Sequence, residues 1–277
     1  MGERMLSDGA MLLRTSDRIR LNAPGVERGL LSLRTVRHLL WYDGVLVTMR
    51  QSGTHWIRYM VGLVLAKLYD LPSPTYIDDR GIFGKPVYRH IPRIADTSML
   101  PNYFLRSRTL FRLLHVPNHV VLVRDLRDVL VSNYEKRRDE INVDFSTYLR
   151  GDVRGDKYRT DIWTRIRFLN AWGPVVERQP EHVAVLKYED LKADTRGQLA
   201  RVCDHFNIGG VTPDLLDEVV AAASKAEMAK LQRPENKWKA VRVDPRPAAE
   251  WYTDVDRRFF TEVCQRYLKH KFGYQYW

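Results

Sequence analysis

Short apolar runs that break into a polar turn and then into a helical pattern recur along this chain. Val45, Leu46 and Val47 form a run rich in β-branched residues that reads as a buried strand, and Trp56, Ile57, Met60, Val61, Leu63, Val64 and Leu68 then recur at helical spacing. His119-Val-Val-Leu-Val123 repeats the order and passes through a charged turn into an apolar helical pattern ending near Tyr134. Val183 to Lys187 predicts another buried strand. Leu199, Val202, Cys203 and Phe206 predict a helix up to Ile208, closed by Gly209-Gly210. Thr212-Pro213 starts the next one, with proline in its first turn, and Phe259 to Leu268 gives a final helix. A short helix is expected through Leu30 to Trp41, and a Pro/Gly-marked loop through Gly81, Gly84 and Pro86 carries a strand candidate at Val87-Tyr88. Strands alternating with helices predict a three-layer α/β sandwich, with a central parallel sheet, helices on both faces and ligand at the carboxyl ends of the strands.

Candidate chemistry enters at the turn Gln51-Ser52-Gly53-Thr54. A strand feeding a helix through Ser-Gly-Thr leaves unpaired N–H groups at the helix N-terminus, backed by the positive end of the macrodipole. Gly53 lets the backbone approach an anion, Ser52 and Thr54 add hydroxyl donors, and Arg50 adds charge. This is a P-loop-like phosphate-binding turn without the Gly-x-x-x-x-Gly-Lys-Ser/Thr of a Walker A loop; an ordinary turn with a capping serine is the plainer alternative. In the second unit Arg124 ends the strand and Ser132 follows eight residues later, about two turns along the helix. An arginine fork and a hydroxyl can converge on one anion at that spacing.

At these residues the chain resembles the sulfotransferases that use 3′-phosphoadenosine 5′-phosphosulfate (PAPS), especially the cytosolic type. Their 5′-phosphosulfate loop usually runs Tyr-Pro-Lys-Ser-Gly-Thr-Thr-Trp, against Met49-Arg-Gln-Ser-Gly-Thr-His-Trp56 here. Their 3′-phosphate motif usually runs Arg-Asn-Pro-Lys-Asp-Val-x-Val-Ser-x-Tyr, against Arg124-Asp-Leu-Arg-Asp-Val-Leu-Val-Ser-Asn-Tyr134. The resemblance implies that Arg50, Gln51, Ser52, Gly53, Thr54, His55 and Trp56 hold the 5′ side of the nucleotide, with Trp56 stacked on adenine. It further implies that Arg124 and Ser132 hold the 3′-phosphate and that Tyr188, in Tyr188-Glu-Asp190, contacts adenine. It extends with decreasing clarity from about Gly44 to the C-terminus.

The family places its general base in a Lys-Thr-His-Leu-Pro segment between the two motifs, and Tyr88-Arg-His-Ile-Pro92 matches at histidine and proline. His90 is accordingly the expected base, since an imidazole of pKa about 6.5 accepts a hydroxyl proton near neutrality. A surface or packing histidine is the alternative. The family lysine that supports the bridging oxygen aligns with Gln51, which carries no charge; Arg50 is the expected substitute, with Lys85 and Arg89 as alternatives. The family loop that closes over the nucleotide ends Arg-Lys-Gly-x-x-Gly-Asp-Trp, of which only Trp251 aligns cleanly, so Arg246, with Arg242 behind it, stands in for the 3′-phosphate contact; a basic loop without that contact is the alternative. Phe145, Tyr148, Tyr158 and Trp163, with the Thr75 to Arg89 loop, fall where the family lines its acceptor pocket, although core packing explains many such aromatics. The resemblance requires no metal.

At 277 residues and 44% hydrophobic, the chain can bury a sizeable core as one domain over residues 41–277, behind a basic lead-in at 1–40. That lead-in is read as a solvated arm, with a homodimer partner as its other contact. The formal charge of +11 attracts anions, and a nucleotide with phosphate and sulfate groups is such a ligand. Nucleic acid ranks lower because the basic residues are spread along the chain without a recognition signature. Cys203 and Cys264 alone support neither a disulfide framework nor a zinc site. No apolar run reaches the ~18 residues of a membrane span, and a cytoplasmic enzyme is expected. Its acceptor would be a hydroxyl-bearing small molecule or carbohydrate. A non-catalytic binder of PAPS or its product, adenosine 3′,5′-bisphosphate (PAP), and an ATP-dependent kinase-like enzyme are the rivals.

Overall fold

A computed structural model describes residues 41–79, 83, 90–101, 103–107, 109, 116–153, 157–158, 160–234 and 246–276. The lead-in at 1–40, the strand candidate Val87-Tyr88, and Lys85, Arg89 and Arg242 lie outside the described residues.

Four strands, β1 (Gly44–Thr48), β2 (Ile94–Thr97), β3 (Asn118–Val123) and β4 (Val183–Lys187), form one sheet in the order β2-β1-β3-β4. All pairings are parallel, with Val45 opposite Ala95 on one side and His119 on the other. Every residue of β1 is buried, as expected of a central strand covered on both faces. Side chains alternate between those faces: Val45, Val47, Val121 and Val123 enter one core, while Leu46, Val120 and Leu122 enter the other.

Helices α1 (Thr54–Leu68), α4 (Thr195–His205) and α5 (Pro213–Ala222) cover the Leu46 face. Helices α2 (Leu126–Lys136), α3 (Ile162–Arg178) and α6 (Asp254–Tyr267) cover the Val47 face. The predicted three-layer α/β architecture is therefore observed. Thr212 caps α5 by accepting from the Leu215 amide, with Pro213 in the first turn. The final helix starts five residues before the predicted Phe259, where Thr253 and Asp256 form a reciprocal capping box.

Three findings depart from the sequence reading, the first being helix α3, which it does not predict. β2 lies at Ile94–Thr97 and was not anticipated. Phe145, Tyr148, Tyr158 and Trp163 are all buried in the core between sheet and helices and do not line the cavity at the sheet's carboxyl edge, so core packing accounts for them.

Since β1 sits between β2 and β3, the chain leaves it on one side of the sheet and returns on the other. The crevice outside the carboxyl ends of β1 and β3 is the switch point at which ligands of open parallel sheets bind. Met49 to Gly53 follows β1 into that crevice, and Arg124 follows β3. Among the described residues no helix is long and apolar enough to cross a membrane.

Candidate active site

The turn after β1 is shaped by backbone strain. Gln51 has φ 68° and Gly53 φ 96°, both in the left-handed region. α1 starts at Thr54 with no side-chain cap, so its first amides are not capped by the protein's own hydroxyls. Ser52 does not supply a hydroxyl to the crevice, contrary to the expectation above. Its Oγ is fully buried and donates to the Met49 carbonyl, with the Leu122 carbonyl 3.4 Å away, and its amide donates to the Met49 carbonyl at 3.1 Å. Ser52 folds the turn and ties it to β3. Thr54, Arg50, Gln51, Gly53, His55 and Trp56 do line the cavity, whose volume is about 1030 Å³.

Arg124 joins the turn after β1 to the start of α2. Its Nη1 donates to the Gln51 carbonyl at 3.2 Å, Nη2 lies 3.6 Å from the Asp128 carboxylate, and the guanidinium sits 4.3 Å over the Tyr188 ring. Its Nε is buried with no hydrogen-bond partner, an unfilled donor at the cavity wall. Ser132, two turns along α2, lines the same cavity. Tyr188 lies edge-on to Trp56 at 6.1 Å, and Trp56 Nε1 donates to the Ala223 carbonyl at 2.9 Å. Arg246 also lines the cavity, its guanidinium 4.1 Å over Trp251. Gly53, Trp56, Arg124, Ser132, Tyr188 and Arg246 thus meet at one cavity, although they come from distant parts of the chain.

His90 does not join them. It is exposed, and its ring lies 6.3 Å from Tyr69, just past the C-terminus of α1. α1 has 15 residues, so its far end lies about 22 Å from the turn at 1.5 Å per residue. The reason is topological: β2 is parallel to β1 and begins at Ile94, so a residue four positions earlier sits at the amino edge of the sheet. What reaches the cavity is the other end of β2, Asp96-Thr97-Ser98. Against the family's Lys-Thr-His-Leu-Pro segment, Thr97 matches the threonine and Ser98 stands at the histidine. Replacing His90 by alanine is therefore expected to change the transfer rate by less than about threefold, whereas loss of a general base costs roughly 10²-fold or more in rate. Single-turnover transfer rates of His90→Ala check this.

The imidazole at the cavity is His55. Its Nδ1 lies 3.1 Å from Nη2 of Arg58. Arginine has donors only, so Nδ1 is the acceptor and the neutral ring carries its hydrogen on Nε2. Burial first, and the charges of Arg58 and Lys136 after it, push the His55 pKa down to about 4, which keeps the ring neutral at physiological pH. Arg58 is itself buried, pairing with the Asp96 carboxylate at 3.2 Å and donating to the Asp78 carbonyl at 3.0 Å. Lys136, Arg137, Lys192 and Lys225 also line the cavity and were not singled out from sequence.

A family model described as a sulfotransferase domain matches residues 42–243. Sulfotransferase 2A6 of Mus musculus is 28% identical over 200 residues, covering 66% of this chain and 65% of that protein. Sulfotransferase 2A2 of Rattus norvegicus is 29% identical over 199 residues, with the same coverage. The chain thus spans about 65% of the length of these curated relatives. Among solved structures, mouse sulfotransferase SULT7A1 complexed with PAP has a TM-score of 0.55 at 20% identity, over 83% of this chain and 84% of that one. Retinol dehydratase in a complex with retinol and PAP has a TM-score of 0.58 at 14% identity, over 84% and 83%. At those identities the likeness is one of fold.

Proposed function

The chain belongs to the sulfotransferase family, and from that premise we propose that it transfers the sulfuryl group of PAPS to an acceptor hydroxyl, releasing PAP. The observation that carries the reading is the meeting of the uncapped Gly53–Thr54 turn with Arg124 and Ser132 at one cavity, on the switch point of the sheet. Two sets of anion-binding groups at one cavity that an aromatic pair, Trp56 and Tyr188, also lines suit a nucleotide with charge at both its 5′ and 3′ positions. Both structural neighbours described above were solved with PAP.

In the transfer, the acceptor oxygen bonds to sulfur as the bond from sulfur to the bridging oxygen breaks, leaving the electron pair on the 5′-phosphate. The chain's task is to hold that developing charge with fixed donors. The amides at the start of α1, Gln51 and the Arg50 guanidinium supply part of this, and the Nε2–H of His55 adds a neutral donor where the family lysine is missing. Asp96, the carboxylate at the carboxyl end of β2, takes the hydroxyl proton in the role expected of His90. We place the enzyme in the cytoplasm.

Incubation with labelled PAPS and a panel of phenols, steroids and sugars tests the activity, with calorimetry of PAP alongside. PAP is expected to bind at least about tenfold more tightly than adenosine 5′-phosphate, as one extra charge-assisted contact worth roughly 1.5–3 kcal/mol requires. Tight PAP binding without turnover on any acceptor would leave a nucleotide-binding protein in its place. Magnesium-dependent consumption of ATP would favour the kinase-like alternative.

A further inference from the structure

The carboxylates lining the cavity are all engaged within the protein. Asp96 pairs with Arg58, Asp128 faces Arg124, and Glu189 accepts from the Asp125 amide at 3.1 Å and from the Tyr274 hydroxyl at 2.5 Å. The cations are more numerous: among the described residues Lys136, Lys192 and Lys225 have no ion-paired carboxylate, and of these three Lys136 alone is half-buried, the other two being exposed. Lys136 is the last residue of α2, one helical turn beyond Ser132 on the same face. It is half-buried and lines the cavity, and no carboxylate lies within ion-pair distance of it among the described residues. Arg137, next to it at the cap of α2, is 3.7 Å from exposed Glu140. Burial lowers the Lys136 pKa, and the neighbouring Arg137 charge lowers it further. Behind this wall, Arg165 is buried with Nε and Nη2 unpartnered, and it feels the charges of Arg50 and Arg137.

These charges exceed what the nucleotide uses. In the reading above, the turn after β1 takes the 5′ group, and Arg124 with Ser132 takes the 3′-phosphate. Lys136 lies about 6 Å past Ser132 at 1.5 Å per residue, on the side where His55 is its electrostatic neighbour and Asp96 to Ser98 close the cavity. An apolar acceptor docked there would leave a desolvated ammonium uncompensated, which is costly. An acceptor with its own negative charge supplies the missing partner.

We infer that the acceptor is an anion as well as an alcohol: a hydroxyl compound carrying a carboxylate, phosphate or sulfate group that sits on Lys136 and Arg137, one turn beyond the 3′-phosphate site. This deepens the sulfuryl-transfer reading and rests on it. Matched pairs test it, namely 4-nitrophenyl β-D-glucuronide against the glucoside, and glucose 6-phosphate against glucose. Binding to the PAP-saturated protein is measured by calorimetry, and transfer from labelled PAPS is measured in parallel.

The anionic member of at least one pair is expected to bind about tenfold more tightly or better, the factor for one charge-assisted contact. Lys136→Met should reduce that ratio to near unity, and Lys136→Arg should keep it. Which pair responds tells a carboxylate site from a phosphate site. Equal binding within both pairs would overturn the inference, as would an equal fall for neutral and anionic members in Lys136→Met, since Lys136 would then serve the sulfuryl donor instead. Because the ratio is read by binding, absence of turnover would count against the transferase reading and leave this test standing.

Discussion

Gly53→Ala is expected to lower PAP affinity by about 100-fold or more, equivalent to roughly 2.7 kcal/mol, without abolishing the fold. Two separate effects act at this position. The residue has φ 96°, where an L side chain is strained by about 1–2 kcal/mol. A Cβ built there also meets the Tyr188 ring, 2.7 Å from Cδ2 and 2.9 Å from Cε2, closer than carbon atoms approach. Tyr188 has little room to retreat, because Trp56 lies edge-on to it and the Arg124 guanidinium covers its face at 4.3 Å. Relief of the clash therefore moves the group that holds Arg124 in place, or untwists the turn and withdraws its amides. Either way both anion contacts loosen together. Calorimetry with PAP and with adenosine 5′-phosphate should show both affinities falling, with the melting temperature of the free protein lowered only modestly. Retention of wild-type affinity would mean that the turn does not approach the ligand.

How much of this was legible in sequence depended on whether a signal was local. β1, β3 and β4 were legible because each is an apolar run containing β-branched residues, buried throughout in β1, nearly so in β3 and in part in the edge strand β4, and α5 because Thr212-Pro213 is a chemical start signal. β2 was not, because Ile94-Ala-Asp-Thr97 has only two apolar residues; it is a strand because β1 offers it an edge. α3 is a helix through the Asp161–Thr164 capping box and the helical spacing of Ile162, Ile166 and Leu169, a signal that the aromatics Trp163, Phe168 and Trp172, equally suited to a pocket wall, obscure in the sequence. The absence of a β2 signal bears on His90: without β2 nothing in the sequence shows that it lies at the amino edge of the sheet, away from the cavity. Ser52 illustrates a different limit. A serine in a glycine turn has two uses for its hydroxyl, and only the three-dimensional position of the Met49 and Leu122 carbonyls decides between them. Lys136 and Arg137 sit at a helix end, where a sequence gives no reason to expect anything but solvent.

Replacing Arg124 discriminates between a structural and a recognition role more sharply than any other change. In the free protein its two terminal nitrogens already bind the Gln51 carbonyl and approach Asp128, so a skeptical reading makes it a strut between the turn after β1 and the start of α2. A strut would affect all nucleotides alike. If Arg124 instead closes on the ribose 3′-phosphate with Ser132, its buried and unpartnered Nε being part of that site, Arg124→Met should cost PAP about 2–5 kcal/mol, the range for truncating one partner of a buried charged pair. Adenosine 5′-phosphate, which lacks the 3′ group, should lose far less. The quantity to measure is the ratio of the two affinities, expected to fall by at least about tenfold, a difference of 1.4 kcal/mol. Arg124→Lys should fall between, because it keeps the charge but not the planar fork that can hold a phosphate through two bonds. A ratio unchanged in Arg124→Met would make the arginine a strut and remove the 3′-phosphate site, and with it the main argument that this cavity is built for PAPS.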